Sequence, residues 1–154
     1  MIQRIQSVYL LLTTLLSVLF LSGNVLVFSE GVNKIAISAF SINKIIEDAG
    51  SVQVVSVIPF SVLLFAIPFI SFVAIFLYMK RRVQMKVVLV LIFLIIALIA
   101  ALVYFSIDIS GKYNASLVPG IKLVLPVLML VFSALAYRGV RNDEAIVKSY
   151  DRLR

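Results

Sequence analysis

Polar side chains come in bunches along this chain, and four apolar runs lie between them: Val8 to Phe28, Val57 to Met79, Val87 to Phe105 and Pro119 to Tyr137. Each is close to, or beyond, the roughly 20 residues a helix needs to cross a hydrocarbon core. Lipid offers the backbone no hydrogen-bond partners, so each run is expected to be a helix. The first run begins like a signal peptide, with Arg4 ahead of it and Leu21-Ser22-Gly23 within it. It does not stop at Gly23; Val25 through Phe28 extend it to spanning length, and a retained helix is expected.

The connectors between the runs set the expected topology. Lys80 to Lys86 is short, so the second and third helices should form an antiparallel hairpin. The segment from Ser29 to Ser56 has room for structure of its own. Lys34 to Ser38 alternates like a short strand, with Asn33 and Asn43-Lys44 as turns. An irregular loop with one helical turn is the other reading of that segment.

Composition agrees with lipid as the solvent: of 154 residues 63% are hydrophobic and 14% charged, too few charges to cover a soluble domain of this size. Lys and Arg number 14 against 7 Asp and Glu. No nucleic-acid-reading motif accompanies this excess, so a nucleic-acid partner is not expected. The cations instead mark one side of a membrane. Lys80, Arg81, Arg82 and Lys86 make a basic connector without an acid, five more cations follow Tyr137, and Arg4 precedes the first run. The other two connectors are poorer: Lys34 and Lys44 face Glu30, Glu47 and Asp48, and Lys112 faces Asp108. Both termini and the basic connector are therefore expected in the cytoplasm.

Candidate chemistry is sparse. There are no Cys and no His, so thiol nucleophiles, thiolate metal sites and imidazole acid–base groups are excluded. The carboxylates fall in the expected loops or tail, and no phosphate loop or nucleophile–base pair is present. No catalytic, cofactor-binding or metal site is therefore expected. Glu47-Asp48 suits a solvated turn better than a cation site. Ionisable groups inside a membrane are the usual pointer to function, and the run centres hold none. Lys122 is the nearest, about one turn inside the fourth run, and a membrane-edge ion pair with Asp108 is expected; snorkelling to the headgroups is the alternative. Pro68 and Pro126 are interior to their runs and should kink them, whereas Pro59 and Pro119 sit near helix starts.

The tail, residues 138–154, suggests a separate helix. Asn142 can cap it, Asp143 and Glu144 suit its first turn, and Glu144 is four residues ahead of Lys148. Ile146, Val147, Tyr150 and Leu153 then share one face, a candidate contact surface for lipid, the bundle or a partner.

The start, Met1 to Leu12 (MIQRIQSVYLLL), and the end, Asp143-Glu144-Ala145 through Asp151-Arg152-Leu153-Arg154, resemble a family of small bacterial membrane proteins known as domain of unknown function 4293. The resemblance implies a four-helix integral protein of a Gram-negative inner membrane. It carries no activity and no functional residues. The expected fold is thus an all-α membrane protein: four transmembrane helices in an antiparallel bundle plus a short cytoplasmic amphipathic C-terminal helix. The expected role is that of a non-catalytic accessory or structural component of an inner-membrane assembly, with the bilayer and a membrane protein or further copies as partners. A small homo-oligomeric transporter or channel is the alternative.

Overall fold

The computed structural model describes residues 3–30, 33–38, 41–46, 50–56, 58–113 and 116–151. Four helices dominate it: α1 (Gln3–Leu21), α2 (Ile58–Phe76), α3 (Arg81–Tyr113) and α4 (Leu125–Asp151). Each buries one stripe whose members recur every three or four residues. In α1 the stripe is Gln6, Leu10, Thr13, Ser17 and Phe20; in α2 it is Phe60, Leu64, Ile67, Ser71 and Ala74. In α3 it runs Gln84, Val88, Leu91, Ile95, Leu98, Leu102, and in α4 Met129, Ser133, Ala136, Val140, Asp143. A period near 3.5 keeps one face of a helix against its neighbour over many turns. Accordingly α1 and α3 each pack between α2 and α4. The opposite faces expose large apolar side chains, among them Leu15, Phe69, Phe93 and Val131.

Three segments are long and apolar enough to cross a membrane: Phe60–Met79, Arg81–Lys112 and Ile121–Glu144. The first run gives a shorter apolar helix, Ile5–Leu21. Its expected continuation to Phe28 is overturned at Gly23, whose φ of 68° is left-handed and ends the helix. Ser22 closes the last turn: its N–H and its hydroxyl donate to the Leu19 carbonyl, at 3.3 and 2.7 Å. Val25 to Phe28 then enter a strand.

That strand belongs to an antiparallel sheet, and its presence corrects the all-α expectation. Strands β1 (Leu26–Glu30), β2 (Asn33–Ile37), β3 (Ser41–Ile46) and β4 (Gly50–Ser56) form a meander. The two-residue β5 (Ser116–Leu117), from the α3–α4 connection, pairs with the free side of β1, giving the order β4-β3-β2-β1-β5. The strand expected at Lys34 to Ser38 is β2. Asn43 and Lys44, expected in a turn, lie inside β3 beside an irregularity between Ile42 and Asn43. Leu26 faces Ile37 and Phe28 faces Ile35 across the first hairpin, and all four are buried in the same apolar core as Phe20, Leu64, Ile95 and Met129. The sheet is therefore continuous with the helical body at the end where α1 finishes and α2 begins.

Two connections are tighter than expected. A 3-10 turn, Leu77–Met79, and Lys80 join α2 to α3, and the Lys80 carbonyl accepts from the N–H groups of Val83 and Gln84 at 2.9 Å. Arg81, Arg82 and Lys86 thus belong to the first turns of α3 rather than to a loop. A second 3-10 turn, Ile121–Val124, leads into α4. Pro126 is then the second residue of α4, where its missing N–H has no intrahelical partner to lose, so the interior kink expected there is replaced by a helix start. Pro68 does lie inside α2. Finally, α4 continues unbroken to Asp151, so the separate C-terminal helix is overturned: Asn142 is in mid-helix, with no free N–H groups following it to cap.

Candidate functional site

The ends of the helices opposite the sheet bring the most chemistry together. The buried stripe of α1 starts with Gln6 and that of α4 finishes with Asp143, which is 8% exposed. Gln6 Nε2 donates to Asp143 Oδ2. One turn earlier on α4 is Gly139, where a Cβ would stand 2.8 Å from Gln6 Cγ. Glycine at 139 is what lets the Gln6 side chain lie flat against α4 and reach the carboxylate. The next residue, Glu144, pairs with Arg82 of α3, Oε1 to Nε at 3.4 Å. Gln84, buried one turn inside α3, donates from Nε2 to the Ala74 carbonyl of α2 at 3.0 Å. Consecutive carboxylates of α4 thus hold α1 and α3, and an amide of α3 holds α2.

Midway along α1, Thr14 Oγ1, Ser71 Oγ of α2 and the Leu10 carbonyl oxygen stand 2.8 to 3.0 Å apart, the carbonyl accepting. Thr13, Ser17 and Ser133 turn their hydroxyls onto carbonyls of the preceding turn, Tyr9, Thr14 and Leu130. These polar residues are satisfied locally, as buried hydroxyls must be.

At the sheet end the structure does not bring Asp108 and Lys122 together. Asp108 Oδ2 pairs with Lys112 Nζ at 2.9 Å, because α3 stays helical to Tyr113 and places Lys112 one turn on. Lys122 instead donates from Nζ to the Ser22 carbonyl, just past the end of α1, where exposed carbonyls attract a cation.

Of the other expected site residues, Lys80, Arg82 and Lys86 are exposed and Arg81 is half-buried. Ile146, Val147 and Tyr150 are on α4, but their side chains lie outside the described residues, as do all of Leu153 and the Glu47-Asp48 pair. Among the described residues there is no group of three or more His, Cys, Asp or Glu that could hold a metal ion.

Two grooves flank the exposed side of α2. One, of about 1010 Å³, lies against α1 and is lined by Thr14, Val18, Ser61, Phe65, Pro68 and Phe72 among others. The other, of about 300 Å³, lies between α2 and α3 and is lined by Phe69, Ile70, Val73, Lys86, Val87 and Val90.

Sequence reasoning missed Gln6, Gln84 and Asp143 because it stopped each stripe where apolar residues stopped. The signal was present: Gln6 is four before Leu10, Gln84 four before Val88, and Asp143 three after Val140. Each continues its helix's inward period into polar sequence.

An apolar, mostly helical chain with three helices able to cross a membrane, a sheet at one end and interlocked charges at the other defines the class as one consistent with a membrane protein. The chain belongs to the family described as Domain of unknown function (DUF4293), which matches residues 2–153. No curated protein matches it.

Proposed function

We propose that the chain is a four-span bundle in the inner membrane of a Gram-negative bacterial cell, both termini cytoplasmic, serving as a non-catalytic accessory or structural part of a larger membrane assembly. The observation that carries this role is how its polar groups are used. Gln6–Asp143, Arg82–Glu144, Gln84–Ala74 and the Thr14–Ser71–Leu10 triangle each join one helix to another. Groups so engaged fix the arrangement of helices rather than standing ready for substrate.

Support for a fourth span comes from α1 itself. Its 19 residues rise about 28 Å, close to the roughly 30 Å of hydrocarbon, and its outer residues Leu11, Leu15 and Val18 extend the exposed apolar belt. Orientation is supported by the cations at the end opposite the sheet. Single cysteines at exposed Ser116 and Asn142 are unique handles, because the chain has none of its own. An impermeant thiol reagent on intact spheroplasts is expected to label position 116 and spare position 142; the reverse pattern inverts the topology.

A second function, as a small homo-oligomeric transporter, is favoured by the larger groove beside Pro68, since a proline inside a helix leaves one backbone carbonyl without its N–H partner. The two separate on purification in mild detergent. An accessory protein is expected to co-migrate with a different membrane protein in fixed ratio, and Tyr150→Asp in the tail should release it. Recovery of the chain only with copies of itself would favour transport.

A further inference from the structure

We infer that the groove between α2 and α3 is a binding site for an acidic phospholipid, with the phosphate at Lys86 and one acyl chain along Val87, Val90, Val73 and Phe69. This rests on the membrane-spanning role proposed above. The groove is amphiphilic in the sense such a lipid needs: five of its six lining residues are apolar, and the sixth is a lysine near the hairpin turn. Among the described residues no carboxylate lies within ion-pair distance of Lys86. The surrounding sequence is one-signed, since residues 58–86 hold Lys80, Arg81, Arg82 and Lys86 and no acid. Arg82 is held by Glu144, which leaves Lys80, Arg81 and Lys86 to set the potential at the turn. Exposed Tyr78 sits on the same turn, an amphipathic ring suited to the headgroup layer.

Charge complementarity selects the occupant. A zwitterionic lipid adds a cation next to Lys86 and Lys80 and is disfavoured. A free phosphate gains nothing from the apolar walls. An anionic headgroup on an acyl chain satisfies both ends, and basic sites between helices at this level of a membrane are where such lipids are held. The site is distinct from the larger groove beside α1, whose lining has no cation.

The test uses the full chain in mild detergent. Native mass spectrometry compares retention of phosphatidylglycerol and phosphatidylcholine with the same acyl chains, and thermal unfolding is followed with each lipid and with inorganic phosphate. The wild type is expected to retain phosphatidylglycerol at least fivefold over phosphatidylcholine and to be stabilised by it, with phosphate alone inert. Lys86→Gln should reduce the preference below twofold. Arg141→Gln, an exposed cation on α4 away from this groove, should leave it unchanged. An equal loss in both variants would make the attraction diffuse and overturn the site. Stabilisation by phosphate alone would overturn the lipid as occupant. If Lys86→Gln fails to fold, spin-labelled lipids on the wild type decide: equal immobilisation of the two headgroups overturns the inference. Carbonate extraction keeps the two proposals apart. A protein released from membranes defeats the spanning role, whereas one retained without lipid preference defeats only this site.

Discussion

At the scale of single residues, the contact of Gln6 with Asp143 combines a buried carboxylate, an amide donor and a glycine that makes room for them. A hydrogen bond to a charged group contributes about 1.5–3 kcal/mol, and deleting the donor strands the carboxylate. Gln6→Leu is therefore expected to destabilise by about 2 kcal/mol, and the Gln6→Leu/Asp143→Leu double variant by less than the sum of the singles. Denaturant unfolding in micelles, read by circular dichroism, gives all four corners of the cycle, and strict additivity would remove the coupling. Gly139→Val should also destabilise, because its side chain occupies the path of Gln6 Cγ. Adding Gln6→Ala should recover part of that loss.

At the scale of elements, the decisive feature is where helices stop. Gly23 turns the chain from α1 into β1 at a φ of 68°, which a Cβ makes costly, while Gly111 lies near the end of α3 with open space around it. The same substitution should therefore have opposite signs. Gly23→Ala is expected to cost about 1 kcal/mol from left-handed strain. Gly111→Ala should gain up to about 1 kcal/mol from helix propensity. The measurement is the midpoint of denaturant unfolding for each variant, and equal shifts in one direction would refute the account of the α1 terminus. Length is informative too. From Val87 to Ile107 α3 has 21 residues without a charge, about 32 Å of helix, matching a hydrocarbon core. The remaining turns of α3 lie beyond this uncharged stretch on both sides, carrying Arg81 and Arg82 at one end and Asp108 and Lys112 at the other.

At the scale of the whole molecule, sheet and helices share one core rather than meeting at a surface. Phe28 of β1 is fully buried in the cluster that includes Phe20 of α1 and Leu64 of α2. The sheet also gathers chain from both connections at its end of the body, since β1 pairs β2 on one side and β5 on the other. Phe28→Ala removes a large ring from that shared interior and is expected to cost about 3–5 kcal/mol. It should speed amide exchange in both β1–β2 and the sheet-end turns of α2 and α4. Exchange that rises in the strands alone would mean two independent units.

Much of this was legible along the chain. The apolar runs located the four helices and the cation-rich ends, because hydropathy and charge are local properties. The strand at Asn33–Ile37 showed in its alternation. What sequence could not supply were decisions between competing local solutions. Val25 to Phe28 read as the last turn of the first helix; a left-handed Gly23 and partners at Ile35 and Ile37 turned that segment into strand β1 instead. Asp108 was expected to pair with Lys122, since the sequence placed both at one membrane edge. The helix continuing to Tyr113 gave the pair to Lys112, and the end of α1 took Lys122. Asp143 read as a first-turn residue of a separate tail helix, yet α4 ran straight through it and turned it onto Gln6, 137 residues away. Periodicity sets which face of a helix is buried; only packing sets what that face meets, since partners so distant in sequence share no local signal.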